Sequence, residues 1–206
     1  EDDLKRNDMY RANAQRAKAQ SRFADYHDYL LSLEMTAEIG DFSPLYLQRI
    51  TQLTNKSNQF NLTTKRYTAE QMEEVYNSDE YIRLYGKLYD KFGDNGVVAV
   101  TIGKIDSEDR DRLDIELWLM SCRVLKRDME LCMLDSLVAQ AKKRGIREIY
   151  GHYYPTAKNK MVAGLYESFG FEKISQDEEG NTAWRLLVEG YEDKNTVIKV
   201  KEEHYA

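Results

Sequence analysis

A short basic segment lies between two apolar segments and offers the clearest binding chemistry in the sequence. Residues 117–120 (LWLM) are apolar, and the loop after them contains Arg123, Lys126 and Arg127. If a strand runs into a helix here, the loop lies where many folds bind phosphate. Phosphate loops usually contain glycines that let the backbone approach the oxygens, whereas this loop has charged side chains. The pattern predicts a phosphate site built from side chains, or else a solvated basic turn in which Asp128 caps the helix.

A carboxylate close to an indole is a second candidate for chemistry. Glu116 lies in a segment of alternating polar and apolar residues, two positions from both Asp114 and Trp118. Partial covering raises the pKa of a carboxyl group and suits it to act as a general base. The alternative is an ordinary solvated strand residue, and the sequence leaves both interpretations open.

The bulk composition limits the class of protein that positions these residues. The chain has 206 residues, of which 42% are hydrophobic and 32% charged, with a formal net charge of −6. One domain with an extension fits this length, and the negative charge argues against a general nucleic-acid binder. No apolar segment reaches the roughly 18–20 residues of a membrane span. The two cysteines fit neither a disulfide framework nor a zinc motif, so we predict a cytoplasmic protein without a metal.

The first eighty residues predict one long helix, one strand and two shorter helices. Residues 3–31 contain no Gly or Pro and are rich in Ala, Arg, Lys and Gln, which predicts a helical connector. The alternation in 32–40 predicts a strand. Helical spacing of apolar residues predicts helices over 44–54 and 69–77.

The rest of the chain predicts a mostly antiparallel sheet with two interrupting helices. Each predicted strand is bounded by turn residues and has alternating or continuous apolar residues. The tail from residue 189 alternates acidic and basic residues and is predicted to be loosely held. The predicted strands are 81–92, 97–103, 112–121, 147–153, 169–174 and 182–188, and the predicted helices are 129–144 and 159–168.

This order of elements resembles the GNAT N-acyltransferase fold over about residues 32–188. The residues Asn159, Tyr166, Gly170 and Phe171 are similar to the N-x6-Y-x3-GF segment of that family. The resemblance implies an α/β (α+β) fold: a mixed, mostly antiparallel sheet with helices on both faces, here preceded by a long N-terminal helix. It also implies that the two central strands splay apart and leave a groove between them.

Three further segments resemble the C-terminal half of FkbH-like proteins, in which a HAD-type phosphatase domain precedes a GNAT-like domain. They are NKSNQFNLTTKRYT (55–68), LWLMSCRVLKR (117–127) and YYPTAKN (153–159). FkbH-like proteins form a glyceryl thioester on an acyl carrier protein for polyketide biosynthesis. Because the first residue is Glu1 rather than Met, we expect a longer parent chain in which 1–31 connects to a HAD-like domain and 189–206 is a tail.

The resemblance assigns roles to several side chains around the groove. Tyr166 matches the tyrosine that protonates the departing thiolate, and Asn159 would cap its helix or bind the pantetheine arm. His152 lies near the gap between the central strands and would deprotonate the acceptor. Packing or structural roles remain the alternatives for these residues. Cys122 is disfavoured as a nucleophile, because six extended residues put it roughly 20 Å from Glu116.

The basic loop departs from the CoA-binding pattern of the family. GNAT enzymes that use CoA carry R/Q-x-x-G-x-G/A here, and in this sequence Arg123 matches while Lys126 and Asp128 replace the glycines. The resemblance therefore implies that Arg123, Lys126 and Arg127 bind the single phosphodiester of a phosphopantetheine arm on an acidic carrier protein, in preference to free CoA.

A dense polar segment precedes the second predicted helix after the first strand. In the resembled fold it borders the acceptor side of the groove, where Asn58, Gln59, Asn61 and Thr63 would bind a hydroxylated acyl group such as glycerate. The alternative is a turn stabilised by side-chain to backbone hydrogen bonds.

Three functions are consistent with these patterns. The first is an acyltransferase domain that handles a glyceryl or similar thioester on a carrier protein. The second is a non-catalytic module that docks the carrier protein. The third is a CoA-dependent N-acetyltransferase.

Overall fold

The computed structural model describes residues 2–203, so residue 1 of the predicted connector and residues 204–206 of the predicted tail lie outside the described residues. A mixed sheet forms the centre of the structure and carries helices on both faces. The elements are α1 (Asp2–Gln20), α2 (Tyr26–Ser32), β1 (Met35–Gly40), α3 (Pro44–Lys56), α4 (Ala69–Asn77), β2 (Tyr81–Asp90), β3 (Gly93–Ile105), β4 (Arg112–Met120), α5 (Met129–Lys143), β5 (Glu148–Tyr153), α6 (Leu165–Ser168), β6 (Glu172–Gln176), β7 (Thr182–Leu187) and β8 (Ile198–Glu203).

The strand order places β4 and β5 side by side near the middle of the sheet. Over the described residues the order is β6-β7-β5-β4-β3-β2-β1-β8, with eight strands. β4 and β5 run parallel and pair only from Arg112 opposite Glu148 to Ile115 opposite Gly151, although β4 continues to Met120. We call the gap beyond Ile115 and Gly151 the fork. The predicted splaying of the central strands is confirmed.

The two faces of the sheet are covered by different helices. On one face α5 contributes Met133, Leu137 and Ala141 to the larger core. On the other face α3 and α4 contribute Ile50 and Met72 to a smaller core. The predicted arrangement of helices on both faces is therefore confirmed.

A β-bulge in β4 decides which of its side chains share a face. Ile115 and Leu117 pair with consecutive residues of β3, so Glu116 is the extra residue of the bulge. An extra residue interrupts the alternation of a strand. Trp118 therefore lies in the core under α5 together with Ile115, whereas Leu117 lies in the opposite core. The alternation predicted for the strand over 112–121 would put Ile115 and Leu117 on one face, and the bulge is the reason that they lie on opposite faces.

The predicted single helix over residues 3–31 is two helices. α1 ends at Gln20, and the Asp25 carboxylate then accepts a hydrogen bond from the His27 N–H at 2.8 Å and caps α2. An aspartate side chain that bonds to the backbone in this way starts a new helix rather than continuing the old one. α1 buries little of its surface, and Arg16 is one of its few buried side chains.

The prediction of a loosely held tail from residue 189 is wrong for the residues that the structure describes. The Asp135 carboxylate of α5 accepts hydrogen bonds from the backbone N–H groups of Lys194 and Asn195 and from the Tyr191 hydroxyl. β8 then pairs in parallel with β1. A partly buried acceptor on α5 and a free edge on β1 hold this segment, and neither feature is visible in the local sequence.

The predicted helix over residues 159–168 is also divided. A single 3₁₀ turn covers Lys160–Val162, and α6 covers only Leu165–Ser168, with Gly164 between them. Glycine in a helix interior is unfavourable by about 1 kcal/mol relative to alanine. No helix among the described residues has the length and apolar character needed to cross a membrane.

Candidate functional site

The fork is filled by residues 60–62 of the same chain, which we call the fork segment. Its Leu62 N–H donates to the Trp118 carbonyl at 3.1 Å, and the Met120 N–H donates to the Phe60 carbonyl at 3.0 Å. These bonds extend the sheet from the edge of β4 that β5 leaves free. The fork segment thus provides partners for backbone groups that an open groove would expose.

Asn159 attaches the fork segment to the end of β5. Its side-chain N–H groups donate to the Asn61 carbonyl at 2.9 Å and to the Tyr154 carbonyl at 3.0 Å. Its side-chain oxygen accepts from the Thr156 N–H at 2.7 Å, and the Tyr154 N–H donates to the Leu62 carbonyl at 2.9 Å. Asn159 is fully buried. These bonds engage its amide with protein partners, so its predicted contact with a pantetheine arm requires the fork to open.

A hydrogen-bonded pair of titratable groups lies at the fork, on the face of the sheet opposite α5. His152 Nε2 lies 2.8 Å from Asp114 Oδ1, and both side chains are partly exposed. The Arg112 guanidinium donates to both carboxylate oxygens of Asp114, at 2.9 and 2.8 Å. Burial raises the pKa of Asp114, but the hydrogen bonds from His152 and Arg112 outweigh it and hold the pKa below its ordinary value. The ionised Asp114 can therefore orient the imidazole, as a carboxylate does for a general base.

Replacing Asp114 by Asn is expected to reduce stability most at neutral pH. A carboxylate with a lowered folded pKa contributes stability above its unfolded pKa of about 3.9 and loses it as the pH falls through the folded value. We expect Asp114→Asn to cost about 1–3 kcal/mol at pH 7, with the difference from the wild type shrinking below about pH 4. Urea unfolding at several pH values measures this. Asp111→Asn, at an exposed carboxylate, is the control, and an equal pH dependence in both variants would contradict the assignment.

Tyr166 lies below the fork with its hydroxyl enclosed. Its ring packs against Gly151, where an added Cβ would lie 2.5 Å from it, and it meets the Trp118 ring edge-on with centroids 6.3 Å apart. The hydroxyl has no hydrogen bond of standard geometry, although the His152 backbone N–H lies nearby. Burial raises the pKa of Tyr166 far above its ordinary value. The group is therefore a neutral phenol with an unused donor at the base of the fork.

The partners of Glu116 are Lys65 and Thr63 rather than Tyr166 or His152. As the bulge residue, Glu116 forms an ion pair with Lys65 at 3.1 Å. Its carbonyl accepts from the Thr63 hydroxyl at 2.6 Å, which anchors the residue after the fork segment to β4. The structure thus places the His152 imidazole on one face of β5 and Tyr166 on the other, against Gly151, and it engages Glu116 with Lys65. The predicted base role of Glu116 stays a prediction.

Arg127 does not present its guanidinium to the loop. It donates to Asp90 at 3.2 Å and to the Arg123 carbonyl at 2.8 Å, and the same carboxylate accepts from Arg16 of α1. All three charged side chains are buried, with Asp90 at 0% exposure. An arginine in a buried ion pair is not available to an anion, since losing its partner would leave a buried charge. Arg127 is thus held by Asp90 in this structure, and its predicted role in binding the cofactor stays a prediction.

The loop before α5 keeps the left-handed backbone that glycines adopt in a phosphate cradle, but a tyrosine covers it and two carboxyl groups lie beside it. Lys126 and Asp128 have left-handed backbone conformations, with φ of 65° and 66°. The Tyr26 hydroxyl of α2 donates to the Lys126 carbonyl and covers the loop. Burial raises the pKa of both Asp128 and Glu130, whose carboxyl groups lie where a helix would otherwise attract an anion. Lys126 itself is exposed.

The remaining predicted residues are distributed around the mouth of the fork. Arg123 and Cys122 are both exposed in the 3₁₀ turn that follows β4. Asn61 bonds within its own loop, donating to the Ser57 carbonyl at 3.1 Å and accepting from the Thr64 N–H at 2.9 Å.

Asn58 and Gln59 lie at the start of this polar segment. The Asn58 side-chain oxygen accepts from the Arg66 guanidinium, and Gln59 is exposed. Substrate binding by Asn58, Gln59, Asn61 and Thr63 stays a prediction, and the hydrogen bonds of Asn61 match the turn alternative.

The sequence did not reveal that Asp114 is the partner of His152, or that Arg16 and Arg127 form buried ion pairs. Asp114 and His152 occupy outward positions on strands that pair in parallel, a signal that becomes readable only when β4 and β5 are known to be neighbours. Arg16 and Arg127 meet at Asp90 from segments far apart in the chain, and nothing in their local sequence indicates this.

Comparison with solved structures identifies the fold. The chain is similar to the ribosomal-protein-S18-alanine N-acetyltransferase from Escherichia coli, with a TM-score of 0.55 and 14% identity over 78% of this chain and 99% of that one. It is similar to the GNAT domain of S. lividans PAT, with a TM-score of 0.56 and 16% identity over 72% and 89% of the two chains. It is also similar to yncA from Salmonella typhimurium with its cofactor acetyl-CoA, with a TM-score of 0.55 and 14% identity over 77% and 96%.

The chain has the mixed α/β GNAT acetyltransferase fold. The match covers 99%, 89% and 96% of the three similar chains, so it extends over nearly the whole of each. No protein-family model matches the sequence, and no curated protein is similar to it. Among residues 2–203, no group of three or more His, Cys, Asp or Glu side chains is placed to hold a metal ion.

Proposed function

We propose that this chain is the acyltransferase domain of an FkbH-like protein and that it acts on an acyl group held as a thioester of phosphopantetheine. The observation that carries the proposal is the fork, where β5 presents His152, paired with Asp114, on one face and the unpartnered Tyr166 hydroxyl below. The resemblance of three sequence segments to FkbH-like proteins supports a glyceryl or similar hydroxylated acyl group.

The residues at the fork suit a transfer that separates the acid from the base. The acceptor nucleophile attacks the thioester carbonyl carbon and gives its proton to the free nitrogen of His152, while Asp114 holds the other nitrogen. The carbon–sulfur bond breaks, and the sulfur takes the Tyr166 proton. His152 then releases its proton to solvent and Tyr166 regains one from solvent as the products leave, so that one proton passes overall from the acceptor to the thiol.

The fork segment must leave for an extended ligand to reach these groups. A pantetheine arm has amide donors and acceptors, which can replace the bonds that the Leu62 N–H and the Phe60 carbonyl make to β4. Its arrival would also give the Tyr166 hydroxyl a partner. A buried hydroxyl without a hydrogen-bond partner is unfavourable by about 1–3 kcal/mol. A new partner for Tyr166 would therefore offset part of the free energy needed to open the fork.

A carrier-protein arm fits the loop better than free CoA does. Two carboxyl groups, Asp128 and Glu130, lie at the start of α5, and Arg127 is held by Asp90. A pyrophosphate would meet repulsion there, whereas a single phosphodiester needs only the exposed Arg123 and Lys126. The acidic body of a carrier protein would be attracted to the same two cations.

Replacing Tyr166 by Phe is expected to separate catalysis from stability. We expect the acyl-transfer rate to fall at least about tenfold, because the thiolate loses its proton donor. We expect the free energy of unfolding to be unchanged or higher, because the lost hydroxyl has no partner. Transfer from acyl-phosphopantetheine on a carrier protein and urea unfolding measure the two effects, with Tyr10→Phe at an exposed site of α1 as the control. An unchanged rate would overturn the acid role of Tyr166.

A docking module without catalysis is the second candidate. The filled fork, the enclosed Tyr166 and the ion pair between Glu116 and Lys65 favour it. It predicts binding of a holo carrier protein without transfer by this chain. The CoA-dependent N-acetyltransferase alternative is consistent with the names of the similar structures, and it predicts transfer from acetyl-CoA to an amine without any carrier protein.

A further inference from the structure

A wide groove lies beside the open end of the fork. It has a volume of about 1110 Å³ and is bounded by α1, α3, the turn between β2 and β3, and Arg123. Arg49 and Gln52 of α3 lie on its wall. Arg123 is three residues beyond Met120, where the fork segment makes its last bond to β4. One wall of the groove therefore lies close along the chain to the open end of the fork.

Arg49 and Arg123 are two cations in this groove without an anionic partner. Among residues 2–203, no ion pair and no side-chain hydrogen bond involves either guanidinium. Burial and the nearby charge of Arg123 lower the pKa of Arg49, although an arginine stays protonated at neutral pH. Two like charges held at a partly buried wall repel each other unless an anion lies between them.

Other charges along the groove do not cancel this pair. Arg16 donates to both oxygens of the Asp90 carboxylate, which it shares with Arg127, so this group keeps one net positive charge that is buried. Lys5 and Arg11 of α1 add positive charge, and Asp2, Asp8 and Asp94 add negative charge. The Asp94 carboxylate accepts from the Gly96 N–H at 2.7 Å, which orients it toward its own turn. The negative charge of a single phosphate, one or two, matches the positive charge of Arg49 and Arg123.

We propose that Arg49 and Arg123 together bind the phosphate of a phosphopantetheine arm. This proposal rests on the proposed function for the identity of the ligand. It assigns the phosphate to the side of the groove formed by α3 rather than to the start of α5. The arm would then run from the groove into the fork, with its phosphate between two guanidiniums that each offer paired N–H donors. Both sources of the arm, a carrier protein and CoA, share this chemistry.

The test is calorimetric titration of the 206-residue chain with 4′-phosphopantetheine, with CoA and with a holo carrier protein. We expect Arg49→Gln and Arg123→Gln each to weaken binding of phosphopantetheine at least about tenfold, the loss expected for a charge-assisted hydrogen bond. Arg147→Gln removes the same charge at an exposed site at the opposite end of β5 and is expected to leave binding unchanged. Inorganic phosphate is expected to compete with the ligand in the wild type only.

The outcomes separate this site from the proposed reaction. Binding that depends on Arg49 and Arg123 but is followed by no acyl transfer supports the site and favours the docking module. Weaker binding in Lys126→Gln, with Arg49→Gln unaffected, overturns the site and returns the phosphate to the loop. No measurable binding of phosphopantetheine to the wild type also overturns it. Tighter binding of the holo carrier protein than of CoA identifies the carrier as the source of the arm.

Discussion

Replacing His152 by Gln is expected to lower the acyl-transfer rate by about 10²–10⁴-fold, the range for loss of a positioned general base. Glutamine keeps a group that can hydrogen-bond to Asp114, but it cannot accept the proton of the acceptor at neutral pH. The fold is expected to persist, because His152 is partly exposed and its ring fills no core position. The measurement is single-turnover transfer from an acyl carrier protein, since this isolates the chemical step.

The controls for His152 distinguish a base from a structural side chain. His27→Gln removes an exposed histidine of α2 whose ring bonds to Thr196 rather than to a residue of the fork, and it is expected to leave the rate unchanged. Asp114→Asn is expected to reduce the rate less than His152→Gln and to change its pH profile, because Asp114 acts by orienting the imidazole. A His152→Gln rate within twofold of the wild type would exclude the base role and favour the docking module.

The fold could be predicted because its determinants are local patterns. Alternation in β2 and β4 and helical spacing in α3 and α5 are properties of short segments, and the turn at Gly93 closes a hairpin. The order of these segments then allows few arrangements, since the connection between β4 and β5 requires a helix on one face. The splayed pair and the covering of both faces followed from this order together with the GNAT resemblance.

The site was less predictable because its determinants join distant segments. A bulge at Glu116 depends on the pairing of β4 with β3 and reverses the faces of the residues beyond it. Asp90 holds Arg16 and Arg127, which are 74 and 37 residues away from it in sequence. A basic residue in a loop sequence looks the same whether it binds a ligand or a buried carboxylate. The composition of the loop therefore indicated a phosphate site but could not say which arginines are available to it.

Removing the hydrogen bonds of Asn159 is expected to have the second large effect, a loss of stability. We expect Asn159→Ala to lower the free energy of unfolding by about 2–4 kcal/mol, because it leaves the buried Asn61 carbonyl and the less buried Tyr154 carbonyl and Thr156 N–H without this partner. Hydrogen exchange of the Leu62, Met120 and Tyr154 amides is expected to quicken more than that of the other sheet amides, since these amides bond across the fork. Asn55→Ala is the matched control, because its exposed side chain also donates to two carbonyls.

In Asn159→Ala the stability is expected to fall, whereas the affinity for phosphopantetheine is expected to rise. If the fork segment blocks the ligand, the wild type binds phosphopantetheine with its intrinsic affinity reduced by the fraction of molecules that are open. Loosening the segment raises that fraction, so titration at a temperature where the variant is folded should show tighter binding. Weaker binding would mean that Asn159 contacts the ligand directly, as the GNAT resemblance implies. Unchanged affinity with faster amide exchange would show that the ligand does not enter the fork, and the proposed acyl transfer at His152 would then lose its basis.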